Sequence, residues 1–340
     1  MGFLFHITMK KVLLLLPFIL TLIGCKQEQK LKKFAFNGET MGSYYAVTYY
    51  AKNRLVQQKE VEALLQTINK SLSTWDKNSL ISAINNAESK HITDSFFRQL
   101  FNISEKVNTI SNGAFDPTAS PLFEAWGFGL KNAENLDSTA IDSILQYIGI
   151  EKFKLLADTI YKPDKNSQIS FNAIAPGYAA DLIGKLLLKN DITNYLVDVG
   201  GEFASHGIKP DSSKWTVGIE QPIENKTGQN EAQGFITLED GECLATSGNY
   251  RKFYYKKGKK YSHTINPITG FPVNHNLLSV TIVTDNATTA DAYATTCMVL
   301  GLEAAKEFVK ERNIKAYFIY DSESKLNEYI SENLKNQFSK

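Results

Sequence analysis

The chain has 340 residues, 43% of them hydrophobic, with 37 Lys+Arg against 36 Asp+Glu and a formal net charge of +1. That length and apolar content suffice for one large core or two small ones. The balanced charge lacks the basic excess on which nucleic-acid binding usually relies, so no nucleic-acid partner is expected.

At the N-terminus, "MKKVLLLLPFILTLIGC" (residues 9–25) places two lysines before an apolar run that ends in a small residue and Cys25. This is the pattern of a secretory signal, residues 1–25. The small residue before the cysteine resembles a bacterial lipoprotein cleavage box. It predicts a lipidated Cys25 and a membrane-anchored protein on the periplasmic face; an uncleaved anchor or a plain signal peptide are the alternatives. Residues 26–33, "KQEQKLKK", read as a polar tether. No repeat or low-complexity linker divides the rest, which predicts one compact domain over residues 34–335.

The alternation in "SYYAVTYY" (43–50) predicts a strand. Val61, Leu64, Leu65, Ile68 and Leu72 share one helical face. Asp94 can cap a helix carrying Phe97, Leu100, Phe101 and Val107, with Gly113 just beyond it. Asp137 or Ser138 can cap another through Ile141, Ile144, Leu145 and Ile148, stopped by Gly149. A helix is predicted over 179–190. Strands follow at 195–199, 215–220, 235–239, 243–247, 253–263 and 277–285. The basic run "RKFYYKKGKK" (251–260) reads as a solvated hairpin tip. Helices at 288–300 and 302–312 precede a strand at 315–321. Helices cluster early and strands late, without β-α alternation, which favours an α+β fold of mixed or antiparallel sheets flanked by helices. Cys243 and Cys297 lie in apolar surroundings and are expected as buried thiols rather than a disulfide.

Several segments carry more small and polar residues than a core needs. They are "ETMGSYY" (39–45), "SLSTWDKNS" (71–79), "GAFDPTASPLFEAWGFG" (113–129), "NAIAPGYAAD" (172–181) and "DVGGEF" (198–203). Asp116, before Pro117, either makes an Asx-turn or faces a ligand. Gly200-Gly201 forms a tight turn or lets a backbone approach a phosphate. Trp75 is by default a half-buried core residue, yet an aromatic beside a polar turn can stack on a planar ring. In "TTADAYATTCMVLG" (288–301), Asp291 and Thr295 are one turn apart on one helical face. They can offer hard oxygen ligands to Mg²⁺, or Asp291 can simply complement the helix dipole. In "YSHTINPITGFPVNH" (261–275), Pro267 and Gly270 demand a chain reversal behind His263. That histidine either bonds the turn's own backbone or is held out for chemistry. His275 reads as a surface or turn residue.

Taken together and in order, "MGSYY", "LSTWD", "GAFDPTASPL", "AIAPGYAAD", "DVGGEF", "ATSGNYRKF", "HTINPITGFPV" and "DAYATTCMVLG" resemble the ApbE family of flavin transferases over about residues 34–320. The resemblance implies an α+β fold, FAD as substrate, a required Mg²⁺ and a periplasmic lipoprotein. It implies transfer of FMN from FAD to a Thr or Ser of an acceptor flavoprotein by phosphoester formation, with release of AMP. Typical acceptors are flavoprotein subunits of membrane redox complexes. By the same resemblance Asp291, Thr295 and the carbonyl of Ala175 match metal ligands, and His263 matches the general base. Met41, Thr74, Trp75 and Asp116 match residues lining the FAD site, and "TSGNY" (246–250), with Ser247 and Gly248, lies near its phosphates. Three positions depart from the common pattern: Pro176 stands for a lysine, Glu202 for an asparagine and Asn266 for an aspartate. The same site with water as acceptor would be a Mg²⁺-dependent FAD pyrophosphatase. A non-catalytic FAD-binding lipoprotein would need neither the metal pair nor the base.

Overall fold

The structure is a computed structural model that describes residues 30–128, 136–222, 231–249, 253–256, 259–323 and 325–340. The expected signal segment, Cys25 and residues 26–29 of the expected tether lie outside them, as does Tyr250. The elements in chain order are β1 (Lys32–Thr40), β2 (Ser43–Ala51), α1 (Gln58–Leu72), α2 (Leu80–Asn86), β3 (Lys90–Ile92), α3 (Ser95–Ile110), α4 (Ser120–Ala125) and α5 (Ser138–Leu145). There follow β4 (Lys154–Leu156), β5 (Thr159–Tyr161), α6 (Ala175–Lys189), β6 (Tyr195–Val199), β7 (Glu202–His206), β8 (Trp215–Glu220), β9 (Ala232–Leu238) and β10 (Cys243–Gly248). The remainder are β11 (Phe253–Lys256), β12 (Lys259–Ser262), β13 (Leu277–Thr284), α7 (Ala287–Leu300), α8 (Leu302–Glu311), β14 (Lys315–Ser322), β15 (Lys325–Ile330) and β16 (Phe338–Ser339).

An eight-stranded sheet in the order β1-β2-β6-β7-β10-β13-β14-β15 organises the fold, and every neighbouring pair is antiparallel. Spatial order follows chain order, so each helical or hairpin insertion leaves from a strand end. This is the α+β arrangement. A smaller sheet, β16-β9-β8, covers part of one face.

Alternation sorts the side chains. Tyr45, Val47 and Tyr49 of β2, with Val197 and Val199 of β6, point to one face, where α1, α3 and α6 bury Leu65, Ile68, Phe97, Phe101 and Ile183. Tyr50, Leu196 and Phe203 point to the other and meet Trp215, Val217 and Ile219 of the small sheet. α7 carries buried residues all round and is packed with small ones, Ala290, Ala292 and Ala294. Such a helix belongs inside a protein. It packs with α8 on β10, β13 and β14 through Ala245, Val280, Ile282 and Phe318.

Local chemistry sets the helix starts. Asp94 accepts from the Phe97 amide at 2.9 Å and Asp137 from the Ala140 amide at 2.8 Å. Pro176 falls in the first turn of α6, where the missing N–H has no intrahelical partner to lose. That helix therefore begins at Ala175, earlier than the 179 suggested by apolar periodicity. Lys32 and Lys33, expected in the tether, pair with Ala51 and Tyr50 as the first rungs of β1. The strand expected at 253–263 is two strands, with Lys256 opposite Lys259, and residues 251, 252, 257 and 258 of the expected hairpin tip lie outside the described residues. Cys243 and Cys297 are buried and free.

Candidate active site

A cleft of about 1550 Å³ opens where the β1–β2 and β6–β7 turns, the end of β10, the edge of β8, the N-terminus of α6, one face of α7 and the turn after β12 converge. Met41, Thr74, Trp75, Asp116, Ala175, Ser247, Gly248, His263, Asp291 and Thr295 all line it. Ten residues spread over 255 positions of sequence thus meet around one space.

The α6–α7 crossing builds one wall. Asp291 is buried, and its Oδ2 accepts from the Gly177 amide at 3.1 Å. That amide is one of the N–H groups left without intrahelical partners in the first turn of α6. Burial pushes the Asp291 carboxyl well above the usual carboxylate range, the Gly177 bond opposes the shift, and nearby Asp181 adds to it. The crossing is close because Gly177 has no side chain. A Cβ there would sit 2.3 Å from the Ala287 carbonyl oxygen and 2.9 Å from the Asp291 Cβ. One turn further along α7, the Thr295 hydroxyl lies 3.3 Å from that of Ser247.

These groups fit a hard divalent cation. Among the described residues the buried Asp291 carboxylate has the Gly177 amide as its hydrogen-bond donor, and the Thr295 hydroxyl stands one turn further along α7, near that of Ser247. No three His, Cys, Asp or Glu side chains cluster as ligands among the described residues. One carboxylate, neutral oxygens, water and ligand phosphate make a shell typical of Mg²⁺.

Another part of the cleft lining carries His263. Its half-buried ring stands edge-on to Phe128, with centroids 6.4 Å apart. The turn behind it is heavily tied. Asn266 Oδ1 accepts from the Ile268 and Thr269 amides at 2.8 and 3.2 Å, and the Asn266 carbonyl accepts from Gly270 at 2.8 Å. Asn266 serves this Asx turn with its side-chain oxygen, so replacing the common aspartate leaves the turn intact. Trp126 Nε1 donates to the Gly270 carbonyl at 2.9 Å, and Ile265 packs with Leu122, Trp126 and Ile141.

The remaining lining residues come from turns. Met41 is left-handed at φ 52°, a conformation uncommon for a side-chain-bearing residue, and it shares the β1–β2 turn with Gly42 at φ 69°. Gly200 and Gly201, at φ 71° and 108°, make the neighbouring β6–β7 turn. Both glycines line the cleft, so the tight turn and the open approach are the same feature. Asp116 makes its turn and also lines the cleft. Oδ1 accepts from the Thr118 amide at 2.8 Å, Oδ2 accepts from the Ile150 amide at 3.2 Å, and the residue faces the cleft. Trp75 is 60% exposed, which overturns its reading as a half-buried core residue. The loop after α1 holds it out over the cleft, where no core contact covers it. His275 occupies a bend, but its ring turns inward, with Nε2 2.8 Å from the Met298 carbonyl and burial lowering its pKa. It is therefore more enclosed than a surface residue.

Two acidic positions were not singled out by sequence reasoning. Asp181, one turn after Gly177 on α6, accepts from the Ala287 and Thr288 amides at 2.8 and 2.9 Å and from the Thr288 hydroxyl. It caps α7, the helix that carries Asp291 and Thr295. The signal was available: Gly177 and Asp181 are spaced i, i+4 and so share a face. Asp198 accepts from the Gly201 amide at 2.9 Å and the Tyr44 hydroxyl at 3.0 Å, joining two cleft-forming strand ends. Burial raises its pKa against those two bonds.

The ApbE family profile matches residues 41–318. The FAD:protein FMN transferase of Vibrio cholerae serotype O1 is 30% identical over 341 residues, covering 98% of this chain and 100% of that one. The FAD:protein FMN transferase of Escherichia coli K12 is 30% identical over 323 residues, covering 90% of this chain and 91% of its own. The crystal structure of the Pseudomonas stutzeri flavinyl transferase ApbE, apo form, superimposes with a TM-score of 0.81 at 32% identity, covering 91% of this chain and 97% of that one. A fold, a cleft and a set of lining residues that arise together from the sequence thus agree with a match over most of its length, and the chain belongs to the ApbE family.

Proposed function

We propose that this protein is an FAD:protein FMN transferase that moves FMN from FAD to a Thr or Ser hydroxyl of an acceptor flavoprotein and releases AMP. The observation that carries the reading is the meeting of His263, Asp291, Thr295 and Ala175 in one cleft. At about 1550 Å³ the cleft exceeds the several hundred Å³ that a single small ligand usually occupies, leaving room for a peptide segment beside a dinucleotide.

In the reaction, the acceptor oxygen bonds to the FMN-side phosphorus while the bond from that phosphorus to the bridging oxygen breaks. AMP leaves with the bridging oxygen. His263 takes the acceptor proton as attack begins, a contribution of roughly 10²- to 10⁴-fold, and its braced turn limits where the imidazole can point. Trp75 offers an exposed ring for stacking, and the Gly200-Gly201 turn lets the ligand approach backbone closely. Asp291, Thr295 and the Ala175 carbonyl would hold Mg²⁺. Bound there, the ion supplies charge neutralisation at the diphosphate and at the leaving group.

The test incubates wild type, His263→Ala and Asp291→Ala with FAD, Mg²⁺ and candidate redox flavoprotein subunits, following acceptor mass. Wild type is expected to add one FMN. His263→Ala should bind FAD yet lose at least 100-fold in transfer, and Asp291→Ala should lose metal-dependent turnover. Full labelling by His263→Ala would remove the base from the mechanism. Soluble FMN with no labelled subunit would assign an FAD pyrophosphatase instead. We further propose, from residues 9–25, that Cys25 is lipidated and holds the enzyme on the periplasmic membrane face near redox subunits. Radiolabelled palmitate should enter the wild type but not Cys25→Ala.

A further inference from the structure

The small sheet has the order β16-β9-β8, so among the described residues β8 pairs only with β9. Its other edge runs along the cleft, which Val217, Gly218, Ile219 and Glu220 line. The Val217 and Ile219 side chains are buried in the core beneath. The direction of the backbone groups follows from strand alternation. The Gln221 amide donates to the Glu231 carbonyl across the hairpin at 3.0 Å. Counting back along β8, Ile219 and Val217 also turn their amides toward β9, and Gly218 turns its N–H and C=O outward. The irregularity in this pair adds a residue to β9, not to β8, so the alternation along β8 continues through it. Among the described residues, no backbone hydrogen bond outside the ladders involves Gly218.

Nor does the fold require a glycine there. Its φ is not left-handed, and a Cβ would meet only ordinary contacts, the closest being Phe235 at 3.5 Å. Glycine weakens a strand interior, and one that packing does not demand leaves room for another backbone to come close.

We propose that the edge of β8 at Gly218 is the docking rail for the acceptor, which adds an extended segment as a further strand and so presents its Thr or Ser hydroxyl inside the cleft. This rests on the transferase reading, in which a stretch of protein chain must enter the same cleft as the dinucleotide. Backbone pairing supplies affinity with little demand on side chains, as in other strand-addition complexes. The chemistry recognised is an unpaired peptide edge rather than a charge pattern.

The test uses the full chain and, as probe, a purified flavoprotein subunit that the wild type labels with FMN. Gly218→Pro removes the outward N–H at an edge position, where proline is tolerated. It is expected to raise the acceptor KM at least tenfold while FAD affinity and melting temperature hold. Gly218→Ala keeps the amide and should lose less than Gly218→Pro. Hydrogen exchange on the wild type covers the case in which the proline variant misfolds: residues 215–220 should exchange at least tenfold more slowly when the acceptor is added. An unchanged acceptor KM in folded Gly218→Pro, or no protection of 215–220, overturns the proposal. Loss of FAD affinity in Gly218→Pro also overturns it, by giving the edge to the dinucleotide. A wild type that cleaves FAD but labels no subunit refutes the transferase reading itself, and this is seen before any variant is compared.

Discussion

Gly177→Ala sets two physical effects against each other. Alanine is the better helix former by up to about 1 kcal/mol, so intrinsic propensity alone predicts a slightly more stable protein. The structure predicts the reverse. The new Cβ would lie 2.3 Å from the Ala287 carbonyl oxygen, about 1 Å inside ordinary contact. That neighbour is helix backbone and cannot swing away, so α6 and α7 must part by about that much. Overpacking of this kind costs about 1–3 kcal/mol. The same shift stretches the Gly177–Asp291 bond from 3.1 Å to beyond hydrogen-bonding range, costing about another 1.5–3 kcal/mol for a bond to a charged group. Net of propensity, the loss is about 1.5–5 kcal/mol, a fall in melting temperature of roughly 2–8 °C for a domain of this size. Displacing Asp291 relative to the Ala175 carbonyl should also raise the Mg²⁺ requirement about 10- to 100-fold, the usual effect of disturbing the support of a metal ligand. Thermal melts and Mg²⁺ titrations of FMN transfer read the two effects separately. A variant that melts at or above wild type with an unchanged Mg²⁺ requirement would refute the claim that this contact holds Asp291.

Trp75→Ala should leave stability within about 0.5 kcal/mol, since an exposed residue away from the core rarely matters more, yet weaken FAD by about 1–3 kcal/mol of lost stacking; a folding assay and FAD titration separate the two. Asp181→Asn replaces one of the two acceptor oxygens at the α7 N-terminus with an NH2 donor and removes the charge, and should weaken Mg²⁺ binding by about tenfold or more in calorimetry, and equal affinity would confine Asp181 to packing. Asp198 has its pKa raised by burial, so the folded state holds the proton more tightly than the unfolded one. The Asp198 contribution to stability should therefore be lost as pH rises through and above the ordinary carboxylate range. Asp198→Asn lacks that slope, so its stability relative to wild type, measured by urea denaturation at several pH values, should improve with pH; parallel curves would contradict this. Asp291 places a buried carboxylate in the cleft that the anionic diphosphate of FAD would enter. EDTA should therefore weaken FAD binding itself at least tenfold, as fluorescence quenching would report, and equal affinity would mean the diphosphate needs no cation to enter.

Much of the fold was legible because its elements obey simple periods. β6 and β8 fall on the predicted residues 195–199 and 215–220, and the caps at Asp94 and Asp137 form as their chemistry suggests. Where reading failed, the period was weak or masked. β1 opens with two lysines and passes for a tether. β7 is not alternately buried, and β15 shows half-exposed polar residues along an edge. β3, β4 and β5 have three residues each, too short for any pattern. The site is a different case. Asp291 and Thr295 share a helical face by spacing alone, but nothing in spacing relates them to His263 or Trp75. Only the ordered set of motifs did so. Asp181 escaped because a carboxylate inside a helix looks solvated until its partner helix is known.

The chemistry is divided between parts that rest on different cores. Asp291, Thr295 and Ala175 belong to the α6–α7 crossing, whose side chains run into the two large clusters beneath the main sheet. His263 belongs to a turn seated on the separate cluster of Leu122, Trp126, Ile141, Ile148 and Ile265. α7 has little room to shift where it crosses α6, because a Cβ at Gly177 would already lie 2.3 Å from the Ala287 carbonyl oxygen, and the histidine turn is braced by its own hydrogen bonds. The separation of the Asp291 and Thr295 oxygens from the imidazole is therefore set by how the small cluster sits against the large ones more than by freedom in either side chain. A phosphoryl transfer that needs both groups on one phosphorus gains from such stiffness, since misplacement by about 1 Å can cost on the order of 100-fold in rate. Stiffness also assigns adaptability elsewhere. If the acceptor docks along β8 as proposed, its fit is taken up by backbone at the strand edge and the glycine turns, while the walls that carry Asp291 and His263 stay fixed.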